Sequence, residues 1–125
     1  MKILENLIER AQRSKDGVAK VNGRQREYYY GGEVWIGELE ERYKVVIDGD
    51  TIELHHWGTC TLVLNLKDNK IDYYYGESSS DRDSMNYMLY YFLGGTRGRF
   101  IFRPSTVGDT VRLMHPDGVI DGVEV

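Results

Sequence analysis

Arginine and aromatic residues are the side chains of this sequence that best suit ligand binding. Arginine forks match phosphate oxygens bidentately, and aromatic rings stack on nucleobases. Together they predict a site for a nucleotide or a single-stranded nucleic acid. The alternative interpretation is that the arginines form salt bridges with the acidic residues, which outnumber the basic ones. The candidate site residues are Arg97, Arg99, Arg103, Arg24, Arg26, Tyr28, Tyr30, Phe100 and Phe102.

Two histidines and the single cysteine are the next candidates, because imidazole and thiolate groups bind metal ions. Adjacent residues of a strand point to opposite faces, so we expect that His55 and His56 do not share one ion. The sequence contains no paired CxxC motif and no HxxxH motif on a predicted helix, so we expect no metal site. Cys60 shares the apolar face of the predicted strand with Leu62 and Leu64, which predicts a buried, inert thiol instead of a nucleophile.

Glycine-rich and serine-rich segments do not match a phosphate-binding motif. The run 94–98 follows a predicted helix instead of opening one, unlike a Walker or Rossmann loop. The serines at 78–80 precede a helix, but Asp81 and Asp83 would repel an anion there, so helix capping is the better interpretation. The acidic turn 48–50 lacks the further ligands of a calcium loop. We therefore expect no catalytic residues and no cofactor, and predict that the protein is not an enzyme.

Length and composition predict one domain over residues 1–125. A single cysteine excludes an internal disulfide framework and suits a reducing cytosol. Glu5 and Glu9 interrupt the apolar pattern of the first fifteen residues. This stretch is therefore expected to be neither a signal peptide nor a membrane span.

The charge is unevenly distributed along the chain. A net charge of −4 disfavours a generic duplex-DNA binder. Residues 1–26 contain seven basic and three acidic side chains, whereas residues 27–58 contain two basic and eight acidic ones. This asymmetry predicts either a two-faced surface or simply solvated edges. Ten tyrosines, partly in runs, suit either an interface or half-buried strands.

The clearest local structure is predicted between residues 55 and 95. Period-two alternation predicts a strand over residues 59–66, a polar turn containing Asn69, and a return strand over 71–75. A helix follows with Ser80 as the predicted N-cap, and Gly94-Gly95 ends it. The apolar stripe of this helix contains Met85, Met88, Leu89 and Phe92.

The flanking segments predict further hairpins around an N-terminal amphipathic helix over residues 2–13. Asn22-Gly23 is a hairpin turn signal between strands 18–21 and 24–30, and Asp48-Gly49-Asp50 is another between 43–47 and 51–57. Short strands are expected at 100–103, stopped by Pro104, and at 110–114, with a last edge strand around 119–123. The predicted fold class is α+β, an antiparallel β-sheet built from consecutive hairpins with two short helices packed against it.

The second half of the chain, roughly residues 55–125, resembles a set of small bacteriophage-encoded proteins of unassigned function. The shared pieces are a His/Tyr-Gly-Thr strand, a Ser/Thr-rich loop that leads into a helix, and a short β tail ending in Asp-Gly. In this sequence they are His56-Trp57-Gly58-Thr59, residues 78–86, and Asp121-Gly122-Val123. No role of an individual residue follows from the resemblance.

The resemblance implies a phage accessory protein that acts in the host cytoplasm, such as an inhibitor of host immunity. It would bind a host immune effector protein or sequester a small nucleotide signal. The acidic block 27–58 suits the first role, because it can compete for a basic nucleic-acid channel, and the arginines suit the second. The alternative is a structural or assembly protein that forms homo-oligomers through tyrosine-rich surfaces and sheet edges.

Overall fold

The structure is a computed structural model that describes residues 1–103 and 109–121, without the side chains of residues 24–26. The predicted stop at Pro104 and the predicted strand residue Val123 lie outside these ranges. The elements are α1 (Lys2–Arg13), β1 (Val18–Tyr30), β2 (Glu33–Asp48), β3 (Thr51–His56), β4 (Thr59–Asn65), β5 (Lys70–Tyr74), α2 (Ser79–Leu93), β6 (Arg99–Ile101) and β7 (Arg112–Met114).

The first five strands form one antiparallel sheet in chain order, and β6 pairs with β7 in a second sheet. Hairpin turns join the strands of the large sheet. Their backbone has positive φ at Gly31-Gly32, at Gly49, at Trp57-Gly58 and at Asn69, as tight hairpin turns require. The predicted α+β fold with consecutive hairpins is confirmed, as is the turn at Asn69.

Both helices pack against the same core. The predicted first helix is confirmed, and its buried face follows the period of an amphipathic helix. The sheet contributes Val45, Leu54 and Leu64, each fully buried, to the same cluster. The helical side chains of this core are Leu4, Leu7, Ile8 and Ala11 of α1 with Met85, Met88, Leu89 and Leu93 of α2.

The predicted turn at Asn22-Gly23 is wrong. The β1 strand continues through this dipeptide, and the pairing register with β2 shifts there instead. Gly23 lies against the ring of Trp57, where an added Cβ would be 2.5 Å from the Trp57 Cη2 atom. A side chain at this position would displace the Trp57 ring from its present position, and Gly31-Gly32, with φ of 58° and 80°, makes the reversal.

The predicted N-cap of α2 is wrong by two residues. Ser78 caps the helix, because its hydroxyl accepts a hydrogen bond of 3.0 Å from the Asp81 amide. The Asp81 carboxylate in turn accepts a hydrogen bond of 2.9 Å from the amide of Glu77, the residue before the N-cap. Ser80 is two residues too late for this exchange, although three successive serines look equally suitable in the sequence.

Cys60 does not lie on the core face of β4, contrary to the prediction. The register of β3 and β4 shifts between Leu54 and His55, and Thr61 has no partner in it. Thr61 is buried there, and its hydroxyl donates to the Leu54 carbonyl. Such a bulge reverses the alternation of side chains, so Cys60 lies opposite His55 on the outer face and is only half-buried.

Candidate binding site

The distal part of the β1–β2 hairpin extends beyond the rest of the sheet. Strand β3 pairs with β2 only from Tyr43 to Asp48. Residues 33–41 of β2 therefore have β1 as their one neighbouring strand among the residues that the structure describes. We call residues 27–41 the arm. A two-stranded ribbon leaves its outer backbone edges available for pairing with another chain.

Large apolar side chains are exposed on both faces of the arm. Tyr28 lies opposite Trp35 on one face, and Tyr29 lies opposite Val34 on the other. The exposed fractions reach 81% at Tyr30, 76% at Tyr29, 68% at Ile36 and 58% at Trp35. Because a contiguous apolar surface of this kind is costly in water, it indicates an interaction surface. The exposed apolar residues of the arm are Tyr28, Tyr29, Tyr30, Val34, Trp35, Ile36 and Leu39.

The same arm is strongly acidic. It contains five glutamates and no lysine or arginine. Glu33 lies opposite Tyr30, and Glu27 lies opposite Ile36, so carboxylates alternate with the apolar side chains on both faces. The Tyr29 hydroxyl donates to the Glu27 carboxylate over 3.1 Å. Aromatic rings attract cations, and carboxylates pair with them. A surface that combines the two is therefore suited to a basic surface of another protein.

A broad pocket lies where the arm joins the body of the molecule. Its volume is about 990 Å³, and both the arm and the β3–β4 turn contribute to it. Trp57 of that turn is 46% exposed, although it packs against Gly23. The lining residues are Tyr28, Gly37, Glu38, Leu39, Glu40, Glu41, Trp57 and Gly58. An acidic, aromatic pocket of this kind suits a cationic side chain of a partner.

A second pocket, of about 470 Å³, contains one of the predicted arginines. Arg97 is exposed there, and no carboxylate of the described residues is within salt-bridge distance of it. The Lys70 ammonium is paired, 3.6 Å from the Asp72 carboxylate, and the His115 Nε2 atom lies 2.5 Å from an Asp121 carboxylate oxygen. The lining residues are Lys70, Ile71, Asp72, Tyr73, Tyr74, Arg97, Leu113, His115 and Asp121.

Tyr74 connects this second pocket to the core. Its hydroxyl donates to the Asp121 carboxylate over 3.1 Å, and its ring packs against Phe100 with centroids 5.1 Å apart. Burial raises the pKa of Tyr74, and the hydrogen bond and negative charge of Asp121 add to the increase. The hydroxyl therefore stays protonated at neutral pH and acts as a hydrogen-bond donor in the pocket wall.

The predicted site residues are distributed over separate parts of the molecule. Tyr28 and Tyr30 are exposed on the arm, whereas Arg97 lines the second pocket. Arg99 is exposed at the start of β6, and Arg103 is exposed just beyond its end. The backbone of Arg24 and Arg26 belongs to β1, but their side chains lie outside the description.

The two phenylalanines of the predicted site differ in their surroundings. Phe100 is 1% exposed and therefore does not stack on a ligand, contrary to the expectation for it. Asn86 holds it in place, with hydrogen bonds of 2.9 Å to its carbonyl and 2.6 Å from its amide. Phe102 is partly buried and packs against the same core. Neither ring lines the Arg97 pocket.

His56 forms a largely buried polar pair with Asp81. Its side chain is 3% exposed, and its Nδ1 lies 2.6 Å from an Asp81 carboxylate oxygen. The ring stacks on Tyr43 with centroids 4.4 Å apart and an interplanar angle of 9°. This pair connects the end of β3 to the first turn of α2. Its position indicates a packing role.

The sequence patterns did not identify the apolar residues of β2 as a binding surface. Val34, Trp35, Ile36 and Leu39 occur among glutamates without clear alternation. The sequence did contain one signal for them. Gly31-Gly32 separates these apolar residues from the preceding tyrosines, and a reversal at this dipeptide places both groups on one two-stranded ribbon. The lining residues of the Arg97 pocket come from three segments that are distant in sequence, 70–74, 97 and 113–121, so the pocket had no local signal.

No protein-family model, no curated protein and no solved structure matches this chain. The resemblance to phage proteins therefore stays a prediction. Among the residues that the structure describes, no helix is long and apolar enough to cross a membrane.

Proposed function

We propose that this protein is a non-enzymatic binding protein that acts through its arm on a basic surface of a host immune effector. The main support for the proposal is that aromatic and acidic side chains are exposed together on the arm, which extends beyond the end of β3. Exposed tryptophan and tyrosine side chains are frequent energetic centres of protein interfaces.

The charge of the arm defines the class of partner. Five glutamates without a basic residue complement a lysine-rich or arginine-rich cleft of the kind that binds nucleic acid. An arm in such a cleft would exclude the nucleic acid, because both occupy the same cationic surface. This mechanism requires no catalytic group, and it fits a small phage protein that inhibits host immunity.

The test is restoration of phage plating on bacterial strains that each carry one nucleic-acid-binding defence system. We expect the wild-type protein to restore plating in at least one strain, and a Trp35→Ala/Ile36→Ala variant to lose the effect. Tyr90→Ala is the matched control, because Tyr90 is 74% exposed on α2, away from the arm. Equal activity of the wild type and the arm variant would contradict the proposal.

Sequestration of a nucleotide signal is the second candidate function, and it is favoured by Arg97, which has no salt-bridge partner among the described residues and lines the second pocket. A thermal-shift screen with linear and cyclic nucleotides tests it. A ligand at one hundred times its dissociation constant stabilises the fold by about 2.7 kcal/mol. We expect an Arg97→Ala/Lys70→Ala variant to lose any such shift, and Arg13→Ala, on α1, to retain it. A screen without shifts would contradict this candidate for the nucleotides tested.

Self-association through the arm is the remaining alternative, and it predicts a mass that rises with protein concentration. Light scattering coupled to gel filtration measures it. A dimer in the wild type that becomes a monomer in Trp35→Ala/Ile36→Ala would favour assembly over capture of a host protein. A monomer in both proteins would leave the arm free for a partner.

A further inference from the structure

We propose that Glu53, His55 and Cys60 form a binding site for a divalent transition-metal ion of the zinc type on the outer face of the sheet. One ligand atom of each residue lies within 4.8 Å of those of the other two. Imidazole, thiolate and carboxylate are the three ligand groups that Zn²⁺ takes in proteins. The site is independent of the arm and of the function proposed for it.

The strand register brings the three residues together. Glu53 and His55 alternate with Ile52 and Leu54, which are buried, so both point away from the helices. The bulge at Thr61 then places Cys60 directly opposite His55. Without this bulge, the alternation of β4 would place the thiol on the core face. The sequence predicted that His55 and His56 do not share one ion because they point to opposite faces. The proposed site does not need His56, because Glu53 is on the same face as His55.

The distances are close to those that a tetrahedral ion requires. Bonds of about 2.0–2.3 Å place neighbouring ligand atoms roughly 3.3–3.8 Å apart. The His55 Nε2 atom already lies 3.1 Å from a Glu53 carboxylate oxygen, and the Cys60 Sγ atom lies within 4.8 Å of the ligand atoms of both residues. Three protein ligands leave the fourth position for water.

Binding exchanges one set of interactions for another. The ion displaces the proton of the Cys60 thiol and replaces the contact between His55 and Glu53. The thiolate and the carboxylate together then neutralise the two charges of the ion. Lys44 lies opposite His55 on β2, so the cluster retains one nearby cation. Partial burial of all three ligands limits competition by water.

The test titrates the reduced full-length protein with Co²⁺ and then displaces it with Zn²⁺. We expect one ion per chain, with a near-ultraviolet thiolate-to-cobalt band that Zn²⁺ abolishes. Cys60→Ser should lose the band, and His55→Gln and Glu53→Gln should each weaken binding about tenfold or more. His115→Gln is the matched control, since it removes a histidine that pairs with a carboxylate without a thiol nearby.

Absence of the thiolate band in the wild-type protein would overturn the proposal. Equal Co²⁺ affinity of His55→Gln and the wild type would also overturn it, because the thiol alone would then account for binding. The circular dichroism of each variant establishes that the protein is folded. Glu53→Gln and His55→Gln keep the test decisive if Cys60→Ser does not fold.

Discussion

The two ends of the β1–β2 hairpin differ sharply in burial, although the same two strands form both. At one end, Val45 is fully buried between β1 and β3, under α1. At the other, Trp35 and Ile36 of the same strand are mostly exposed. The backbone pairing is antiparallel at both ends, so hydrogen bonding does not distinguish them. The difference comes from the third strand and the helix, which cover one end only.

Hydrogen exchange should show the largest difference between the two ends. We expect backbone amides of Leu54 and Val45 to exchange only through global unfolding, which for a domain costs about 5–15 kcal/mol. Amides of the arm, such as that of Trp35, should exchange through local opening that costs far less. Exchange followed by NMR measures both. Equal protection would mean that the arm is covered in solution, as it would be in a dimer.

Removal of an apolar side chain should give the next largest difference between the core and the arm, in the free energy of unfolding. Leu54→Ala creates a cavity in the core and should lower the free energy of unfolding by about 2–5 kcal/mol. Ile36→Ala on the arm should change it by less than about 0.5 kcal/mol, because Ile36 is 68% exposed. Urea denaturation measures both values. A large loss in the Ile36 variant would contradict the exposed position of the arm.

Substitution of Asn86 tests whether the contact between α2 and the β6–β7 sheet stabilises the protein. Asn86→Ala removes both side-chain hydrogen bonds to the Phe100 backbone and should cost about 1–3 kcal/mol. Asn6→Ala, at an exposed position of α1, is the matched control and should cost less than about 0.5 kcal/mol. Urea denaturation is again the measurement, and equal values would argue against the role of Asn86.

Tyr74 should give a smaller, pH-dependent effect. Tyr74→Phe removes the hydrogen bond to Asp121 and should cost about 1 kcal/mol at neutral pH. Burial raises the pKa of Tyr74 above 10.0, so the unfolded chain loses this proton first as the pH rises. The stabilisation is complete below pH 10 and is lost as the pH rises through the folded-state value.

Urea midpoints between pH 8 and 11 measure this dependence. Wild-type stability should fall more steeply above pH 10 than that of Tyr74→Phe. Tyr90→Phe, on the exposed face of α2, is the matched control, and it should follow the wild type. Parallel curves for the wild type and Tyr74→Phe would contradict the buried environment of this hydroxyl.

Local patterns in the sequence were sufficient for most of the secondary structure. The amphipathic period of α1, the stripe of α2 and the turn at Asn69 depend on neighbours within a few residues. The same patterns were ambiguous where two signals of one kind stood close together. Asn22-Gly23 and Gly31-Gly32 both favour a reversal, and the strand continues through the first with a shifted register and reverses at the second.

The placement of the candidate sites depended on contacts between distant segments. Composition alone showed an acidic block and runs of tyrosine. Whether the tyrosines at 28–30 were buried depended on the extension of β1 and β2 beyond the end of β3, and the hairpin signals of the local sequence did not predict that extension. Likewise, the bulge at Thr61 moved Cys60 to the side of Glu53 and His55. Sequence determined the elements through short-range periodicity, whereas strand register and coverage, which are long-range properties, decided which side chains reach a partner.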